Sequence, residues 1–203
     1  MGRFWSVPKA HPGETVVLIG GGPSLRDFDV GQVRGRARVI TVNNAYQLAP
    51  WSDYHFFGDR RWWRWHGPQF PVDYRGRIVT ASMAIFQETR VLRLNRCYDG
   101  PLAENPTEVS GIDSGHMAIN LAYHLGAARI VLLGYDMGFA ADGESHWHPD
   151  HEVPSSEHNY LQKFAPAYPG LVALLAKRAV EVVRCTPSRL TCVPEVSLED
   201  ALA

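Results

Sequence analysis

Short apolar runs rich in β-branched residues alternate along the chain with turn signals and helical stretches. This alternation is typical of an α/β protein with a mostly parallel sheet, because each parallel strand needs a crossover before the next. We therefore expect a Rossmann-like three-layer sandwich with a mostly parallel central sheet, formed as one domain by residues 1–203. The predicted strands cover residues 15–20, 37–44, 54–59, 77–81, 128–136 and 180–186.

The clearest helix covers residues 114–125, where apolar residues recur at three- and four-residue spacing. Asp113 or Ser114 can cap its start, and Gly126 can end it. The tryptophan- and arginine-rich run RRWWRWHG predicts a helix that either packs its rings inward or presents them to a substrate or membrane surface. Further helices are predicted from Ser155 or Ser156 to a break near Pro166, at 170–180, and after Ser197.

Composition narrows the class of protein. The chain has 20 basic and 21 acidic residues and 45% hydrophobic residues, so its charge gives nucleic-acid binding no support. No apolar run is long enough to span a bilayer, and the first residues lack the apolar core of a secretion signal. Three cysteines without a CxxC pair suit a reducing compartment. We therefore expect a cytoplasmic protein, and the sequence does not indicate its oligomeric state.

The segment GGGPSL follows the first predicted strand. In an open parallel sheet ligands bind at the carboxyl ends of the strands, where the loops diverge. Gly20, Gly21 and Gly22 would let the backbone approach a ligand closely. Pro23 and Ser24 can start a helix whose N-terminus faces an anion. The alternative is a tight strand-to-helix turn with no ligand.

Other polar residues also follow strands or begin a helix. Because these positions converge on one edge of the sheet, we expect a nucleotide's ribose, base or phosphate to be bound there. Ser114 and Gly115, at the start of the central helix, add backbone N–H groups that favour an anion. The strand-end residues are Asn43, Asn44, Asp59 and Asp136.

The segment HWHPDH lies in a predicted histidine-rich loop or lid at about 137–158. Three interpretations stay open. His146, His148 and His151 could bind a divalent metal such as zinc, although a zinc hydrolase presents such a motif early and on a different fold. A histidine could instead act as a general base on an acceptor hydroxyl, the candidates being His148, His151 and His158. The third interpretation is a solvated loop.

Five motifs carry a resemblance to a known superfamily: GGGPSL, VNNAY, FFGD, DSGHMAINLAYHLGAARIVLLGYDM and RCTPSRL. They resemble the superfamily that groups bacterial family-42 sialyltransferases with MptE-like 6-hydroxymethylpterin diphosphokinases, including small stand-alone members found in phage genomes. The resemblance implies a CMP-linked sugar donor and a late-loop histidine as base. It also implies phosphate and ribose contacts from Gly20, Gly22, Pro23 and Ser24, a phosphate contact from Asn43, and a nucleotide cradle at Ser114 and Gly115.

The chain departs from the sialyltransferase pattern at Gly21 and Gly58, where those enzymes have asparagine. Our first hypothesis is a transferase that binds a nucleotide or nucleotide-sugar and moves the glycosyl group to a hydroxyl acceptor. The second is a diphosphokinase of the MptE type, in which Asp59 and Asp136 would hold Mg²⁺. A non-catalytic nucleotide-binding protein is the third.

Overall fold

A computed structural model describes residues 4–82, 89–149 and 155–203 and has a seven-stranded parallel sheet at its centre. The central strands are β1 (Thr15–Ile19), β2 (Arg38–Val42), β3 (Tyr54–Phe57), β4 (Arg77–Thr80), β5 (Val91–Arg93), β8 (Arg129–Leu133) and β9 (Glu181–Arg184), and a small second sheet pairs β6 (Asn95–Cys97) with β7 (Glu108–Ser110). The strand order of the central sheet is β5-β4-β3-β2-β1-β8-β9, and every neighbouring pair is parallel. The predicted Rossmann-like α/β layout is confirmed.

Helices cover both faces of the central sheet. The helices are α1 (Arg60–His66), α2 (Ser114–Leu125), α3 (Glu157–Asn159), α4 (Tyr168–Ala176) and α5 (Leu198–Ala201). A π-helical turn spans Tyr160–Phe164, and 3-10 turns span Pro23–Leu25, Val30–Val33, Asn43–Gln47, Gly67–Gln69 and Ala165–Ala167.

Alternate residues of the central strands feed two separate cores. In β1, Val16 and Leu18 pack into a core with α2 and α4, whereas Val17 and Ile19 pack into a core on the other face. All four side chains are fully buried. A strand covered on both faces reads as a continuous apolar run, which is why the sequence indicates the centre of the sheet so clearly.

Helix α2 begins and ends where the sequence predicts. The Asp113 carboxylate accepts a hydrogen bond from the His116 backbone N–H at 2.9 Å, as expected of an N-cap. Gly126 adopts a left-handed φ of 97° and ends the helix. The Ser197 cap of α5 is confirmed in the same way, since its side chain accepts from the Asp200 backbone N–H.

Three differences from the sequence prediction have simple physical causes. Strands β5, β6 and β7 have three residues each, too few to show an alternating pattern. The predicted helix break near Pro166 is wrong, because Pro166 and Pro169 lie in the first positions of new helical turns, where proline is tolerated. Helix α4 ends at Ala176, before the predicted end at residue 180.

The rings of α1 pack largely inward. Trp62 and Trp63 are each 8% exposed and join a third apolar cluster with Phe57 and Phe70. The inward-packing interpretation is therefore confirmed for these two rings, while Trp65 stays half-buried. Among the residues that the structure describes, no helix is both long and apolar enough to cross a membrane.

Gly126→Ala tests the close packing of the end of α2 against Pro12. An added Cβ would lie 3.0 Å from Pro12 Cα on a backbone with φ of 97°, so strain and close contact add together. Gly35→Ala is the matched control, because it has φ of 76° but no atom within 4 Å. In urea unfolding we expect a loss of about 1 kcal/mol for Gly35→Ala and about 2 kcal/mol or more for Gly126→Ala. Equal losses would contradict the contact with Pro12.

Candidate functional site

An open cleft of about 790 Å³ lies at the carboxyl edge of the sheet. The chain winds from β1 towards β2 on one side and later returns to β8 on the other, so β1 lies at the point where the strand order reverses. Ligands of open parallel sheets bind at such a switch point. The cleft is lined by the residues directly after the strands: Gly20, Asn43, Gly58, Ala81 and Gly134.

Most residues predicted from the sequence meet in this cleft. His158 is exposed and lies outside the lining, and Pro23 and Ser24 also lie outside it. His151 falls outside the described residues. The lining includes Gly20, Gly21, Gly22, Asn43, Asn44, Asp59, Ser114, Gly115, Asp136, His146 and His148.

The glycine turn, residues 20–24 after β1, donates hydrogen bonds to the carboxylate of Asp136. Ser24 donates to Asp136 twice, from its backbone N–H at 2.9 Å and from its hydroxyl at 2.7 Å. A Cβ on Gly22 would lie 1.9 Å from Asp136 Oδ1, and one on Gly20 would lie 2.6 Å from the Gly134 carbonyl oxygen. The anion at this short helical turn is therefore Asp136. Two of the three glycines are needed for the approach of neighbouring strand ends.

The strand-end aspartates that were expected to suit Mg²⁺ both have partners within the protein. Asp59 caps α1, accepting from the Arg61 backbone N–H at 2.8 Å, and forms an ion pair with the Arg61 guanidinium at 2.6 Å. Burial opposes ionisation of Asp59, but the hydrogen bonds and charge of Arg61 outweigh it and lower the pKa. Burial raises the pKa of Asp136 despite its two bonds from Ser24.

Two residues that line the cleft have buried acceptor atoms without a partner. Asn43 Oδ1 and Asp113 Oδ2 make no hydrogen bond to any described residue. Asn43 also adopts φ of 50°, an uncommon conformation for a residue other than glycine. The other Asp113 oxygen, Oδ1, accepts from the His116 backbone N–H and the Tyr168 hydroxyl. Sequence reasoning recognised Asp113 as a helix cap and missed it as a lining residue.

The start of α2 is packed tightly against the end of β3. The Gly58 backbone N–H donates to Ser114 Oγ at 3.1 Å. A Cβ on Gly58 would lie 2.5 Å from Met117 Cε and 3.0 Å from Ser114 Oγ. Both atoms lie at the ends of side chains, so a larger residue at position 58 would require Met117 and Ser114 to move.

The described part of the histidine-rich loop is held against the glycine turn. The Trp147 backbone N–H donates to the Gly21 carbonyl at 3.2 Å, and the Arg26 guanidinium donates to the His146 carbonyl at 3.2 Å. Arg26 also pairs with Asp142. A Cβ on Gly21 would lie 3.1 Å from His146 Cδ2, so a larger residue at this second departure would require the His146 ring to shift slightly.

The two described histidine rings of this loop, His146 and His148, do not by themselves make a metal centre. The imidazoles of His146 and His148 lie 5.3 Å apart, centroid to centroid. Residues 4–82, 89–149 and 155–203 contain no group of three His, Cys, Asp or Glu side chains placed to hold a metal ion. The third ligand proposed from the sequence, His151, falls outside these ranges, so the metal site stays a prediction.

Three arginines give the cleft positive charge: Arg60 and Arg61 come from the run RRWWRWHG, for which the sequence left a substrate-facing helix open, whereas no motif indicated Arg96. Arg60 is exposed and makes no ion pair with the described residues, whereas Arg61 is paired with Asp59. Arg96 donates to the Gly111 carbonyl through two nitrogens, at 3.1 and 2.7 Å, and lies 5.2 Å from the Tyr98 ring centroid. Tyr98 is 75% exposed and also lines the cleft.

Comparison with known proteins gives structural relatives only. No protein-family profile and no curated protein matches the chain. MAf glycosyltransferase from Magnetospirillum magneticum AMB-1 superposes with a TM-score of 0.63 and 14% identity over 97% of this chain, which spans only 36% of that protein. The sialyltransferase CstII from Campylobacter jejuni, solved with the substrate analogue cytidine-5'-monophosphate, gives 0.58 and 14% over 92% of this chain and 86% of its own. Identity this low shows a shared fold alone.

The raised pKa of Asp136 predicts a pH dependence. Asp136 has a higher pKa in the folded protein than in the unfolded chain. At pH values between these two, the folded protein binds more protons than the unfolded chain, so the contribution of Asp136 to stability grows as the pH falls. Asp136→Asn removes this contribution. The free energy of unfolding of the wild type minus that of the variant should increase as the pH falls from 7 towards about 4, near the ordinary aspartate value. Urea unfolding at several pH values checks this, and a difference that decreases would contradict burial of the charged form.

Proposed function

We propose that this protein is a glycosyltransferase that binds a nucleotide-sugar, with a CMP-sugar as the first donor to test, in the cleft at the carboxyl edge of the sheet. The observation that carries the proposal is the pair of unpartnered buried acceptors, Asn43 Oδ1 and Asp113 Oδ2. Buried polar atoms in native proteins almost always have a partner. Both residues line the cleft, so a ligand rich in hydroxyl or amino donors fits them, and ribose, cytosine and sugars supply such groups.

Charge supports a phosphate in the same cleft. Arg60 offers a guanidinium without an ion pair among the described residues, and α2 begins with Ser114 and Gly115 on the lining. The first turn of a 12-residue helix has backbone N–H groups without intrahelical partners and a partial positive charge. Phosphate oxygens are suitable acceptors for both.

Aromatic side chains suit a base or a sugar ring. Trp65, Tyr98 and Tyr160 line the cleft, and none of them is fully buried. A volume of about 790 Å³ lies within the usual range for sites that bury a small ligand. The lining therefore combines the three kinds of group that a nucleotide-sugar needs: donors for phosphate, acceptors for hydroxyls and flat apolar surfaces.

The proposed reaction needs a base and a leaving group. The acceptor oxygen would lose its proton to a histidine of the loop while it forms a bond to the anomeric carbon. The bond from that carbon to the nucleotide phosphate oxygen would break, and the phosphate would leave as the nucleoside monophosphate. His146 and His148 are the described histidines of the loop that line the cleft. A base near neutral pH is an ordinary role for imidazole.

The two structural relatives support the class of reaction. MAf is a glycosyltransferase, and CstII is a sialyltransferase that was solved with a cytidine nucleotide. Since the chain spans 36% of the MAf protein, the activity of that whole protein is not carried over. The cytidine preference of our proposal rests on the CstII likeness and on the sequence resemblance.

Thermal-shift titration of chelator-treated protein tests the donor. We would titrate CMP, UMP, GMP and AMP, and ATP alone or with Mg²⁺ or Zn²⁺. A ligand at 100 times its dissociation constant stabilises the folded state by about 2.7 kcal/mol. Stabilisation by CMP without metal is the expected result. Stabilisation by ATP only with Mg²⁺ would replace our proposal with diphosphokinase chemistry, and the absence of any nucleotide effect would contradict nucleotide binding.

Asn43→Gly tests the binding site without a folding penalty. Glycine adopts φ of 50° freely, so the variant should stay within about 1 kcal/mol of the wild-type stability. Loss of the amide should weaken binding of the stabilising nucleotide about tenfold or more in calorimetric titration.

Ala179→Gly is the control for Asn43→Gly. Ala179 has φ of 56°, is exposed two residues before β9, and does not belong to the cleft lining. Relief of its strain should raise stability by up to about 1 kcal/mol and leave nucleotide affinity unchanged. Equal affinity in Asn43→Gly and the wild type would contradict the role of the Asn43 amide.

A further inference from the structure

A buried hydrogen-bonded chain leads from α1 to the histidine-rich loop. Trp62 Nε1 donates to Asn44 Oδ1 at 2.6 Å, and Asn44 Nδ2 lies 3.3 Å from His148 Nδ1. Exposure of the three residues is 8% for Trp62, 3% for Asn44 and 7% for His148. All three line the cleft.

The indole determines which way the Asn44 amide faces. Tryptophan Nε1 is only a donor, so the amide oxygen must face Trp62 and the amide nitrogen must face His148. The opposite orientation would place an NH₂ group against the indole N–H. An amide nitrogen is only a donor, so the His148 nitrogen that it meets must accept, and His148 Nδ1 therefore has no proton.

We propose that Trp62 and Asn44 hold His148 in the tautomer with its proton on Nε2, so that His148 acts in the cleft as a hydrogen-bond donor and not as the general base. A base at Nε2 would need the proton on Nδ1, directly against the Asn44 amide hydrogens. Asn44 is thus a positioning residue, because it acts through the imidazole of His148.

The same arrangement opposes metal binding through His148 Nε2. A metal-bound imidazole usually donates its other N–H to a carboxylate or carbonyl oxygen. At His148 the other nitrogen meets an NH₂ donor. The tautomer that would leave Nε2 free for a metal ion is therefore the one that Asn44 disfavours.

The role of the His148 donor rests on the proposed function. Within the reaction proposed above, Nε2–H suits an oxygen of the nucleotide phosphate, which gains negative charge as the glycosyl bond breaks. His146, the other described loop histidine of the cleft, is then a candidate for the base beside His151, which falls outside the described residues. His146 Nδ1 lies 2.8 Å from the Ser145 hydroxyl, which can donate or accept, so this contact allows an unprotonated Nε2.

Nitrogen NMR of protein labelled with ¹⁵N-histidine tests the tautomer without any ligand. Loss of one imidazole signal in His148→Gln assigns the residue. In the wild-type protein, when the His148 imidazole is uncharged, we expect a pyridine-type shift at Nδ1 and a pyrrole-type shift at Nε2. The reverse pattern would overturn the proposal.

Asn44→Asp is the sharpest variant, since it has the same shape as the wild-type residue. A carboxylate can accept from both Trp62 and His148, so the proton should move to Nδ1 and the two shift types should exchange. Trp62→Phe removes the indole donor and should let both tautomers coexist. Retention of the wild-type pattern in a folded Asn44→Asp protein would overturn the positioning role of Asn44.

Nucleotide binding tests the donor itself. Glutamine can place an N–H near the position of His148 Nε2, whereas leucine cannot. We expect CMP affinity to fall about 10- to 100-fold in His148→Leu and to be largely retained in His148→Gln. Equal losses in both variants would overturn the donor role. If wild type binds no nucleotide, the proposed function fails, and the ligand-free NMR result still decides the tautomer.

Discussion

The contact between Asp136 and the glycine turn is the constraint on which the cleft depends. Asp136 follows β8 and accepts two hydrogen bonds from Ser24, which follows β1. These two strands are neighbours in the sheet, and the contact is close enough that only glycine fits at position 22. Two strand ends are thus held together at the switch point. This side of the cleft is formed without a ligand, because the Asp136 carboxylate and the glycine turn are hydrogen-bonded to each other.

The histidine-rich loop depends on the same turn for its position. Gly21 accepts from the Trp147 backbone and lies against the His146 ring, so the side chains of the loop are placed relative to β1. On the other side, the aromatic cluster of α1 places Trp62, and Trp62 orients the Asn44 amide towards His148. The two histidines therefore have different neighbours although only one residue separates them. Different neighbours allow one imidazole to donate and the other to accept, as the reaction that we propose would require.

Polar groups around the cleft divide into those with internal partners and those without. Asp59 and Asp136 looked equivalent in the sequence, each following a strand, yet both are satisfied within the protein. Asn43 and Asp113 have buried oxygen atoms without partners among the described residues. A carboxylate that accepts hydrogen bonds from its own protein needs no ligand to satisfy it, although it keeps further lone pairs. The unpartnered atoms are consequently the better guide to what binds here.

The sequence by itself determined the sheet, the ends of α2 and the collection of loops at one edge, because these follow from local patterns. Buried parallel strands are continuous apolar runs, and Asp113 and Gly126 mark the helix through backbone chemistry of one turn. Strands of three residues left no pattern to read. Only the tertiary structure decided that Gly22 lies against Asp136, that Ser24 lies outside the cleft lining, and that a tryptophan 18 residues from Asn44 orients its amide. These facts depend on side chains from distant segments meeting at hydrogen-bond distance, and such meetings are set by how the layers pack.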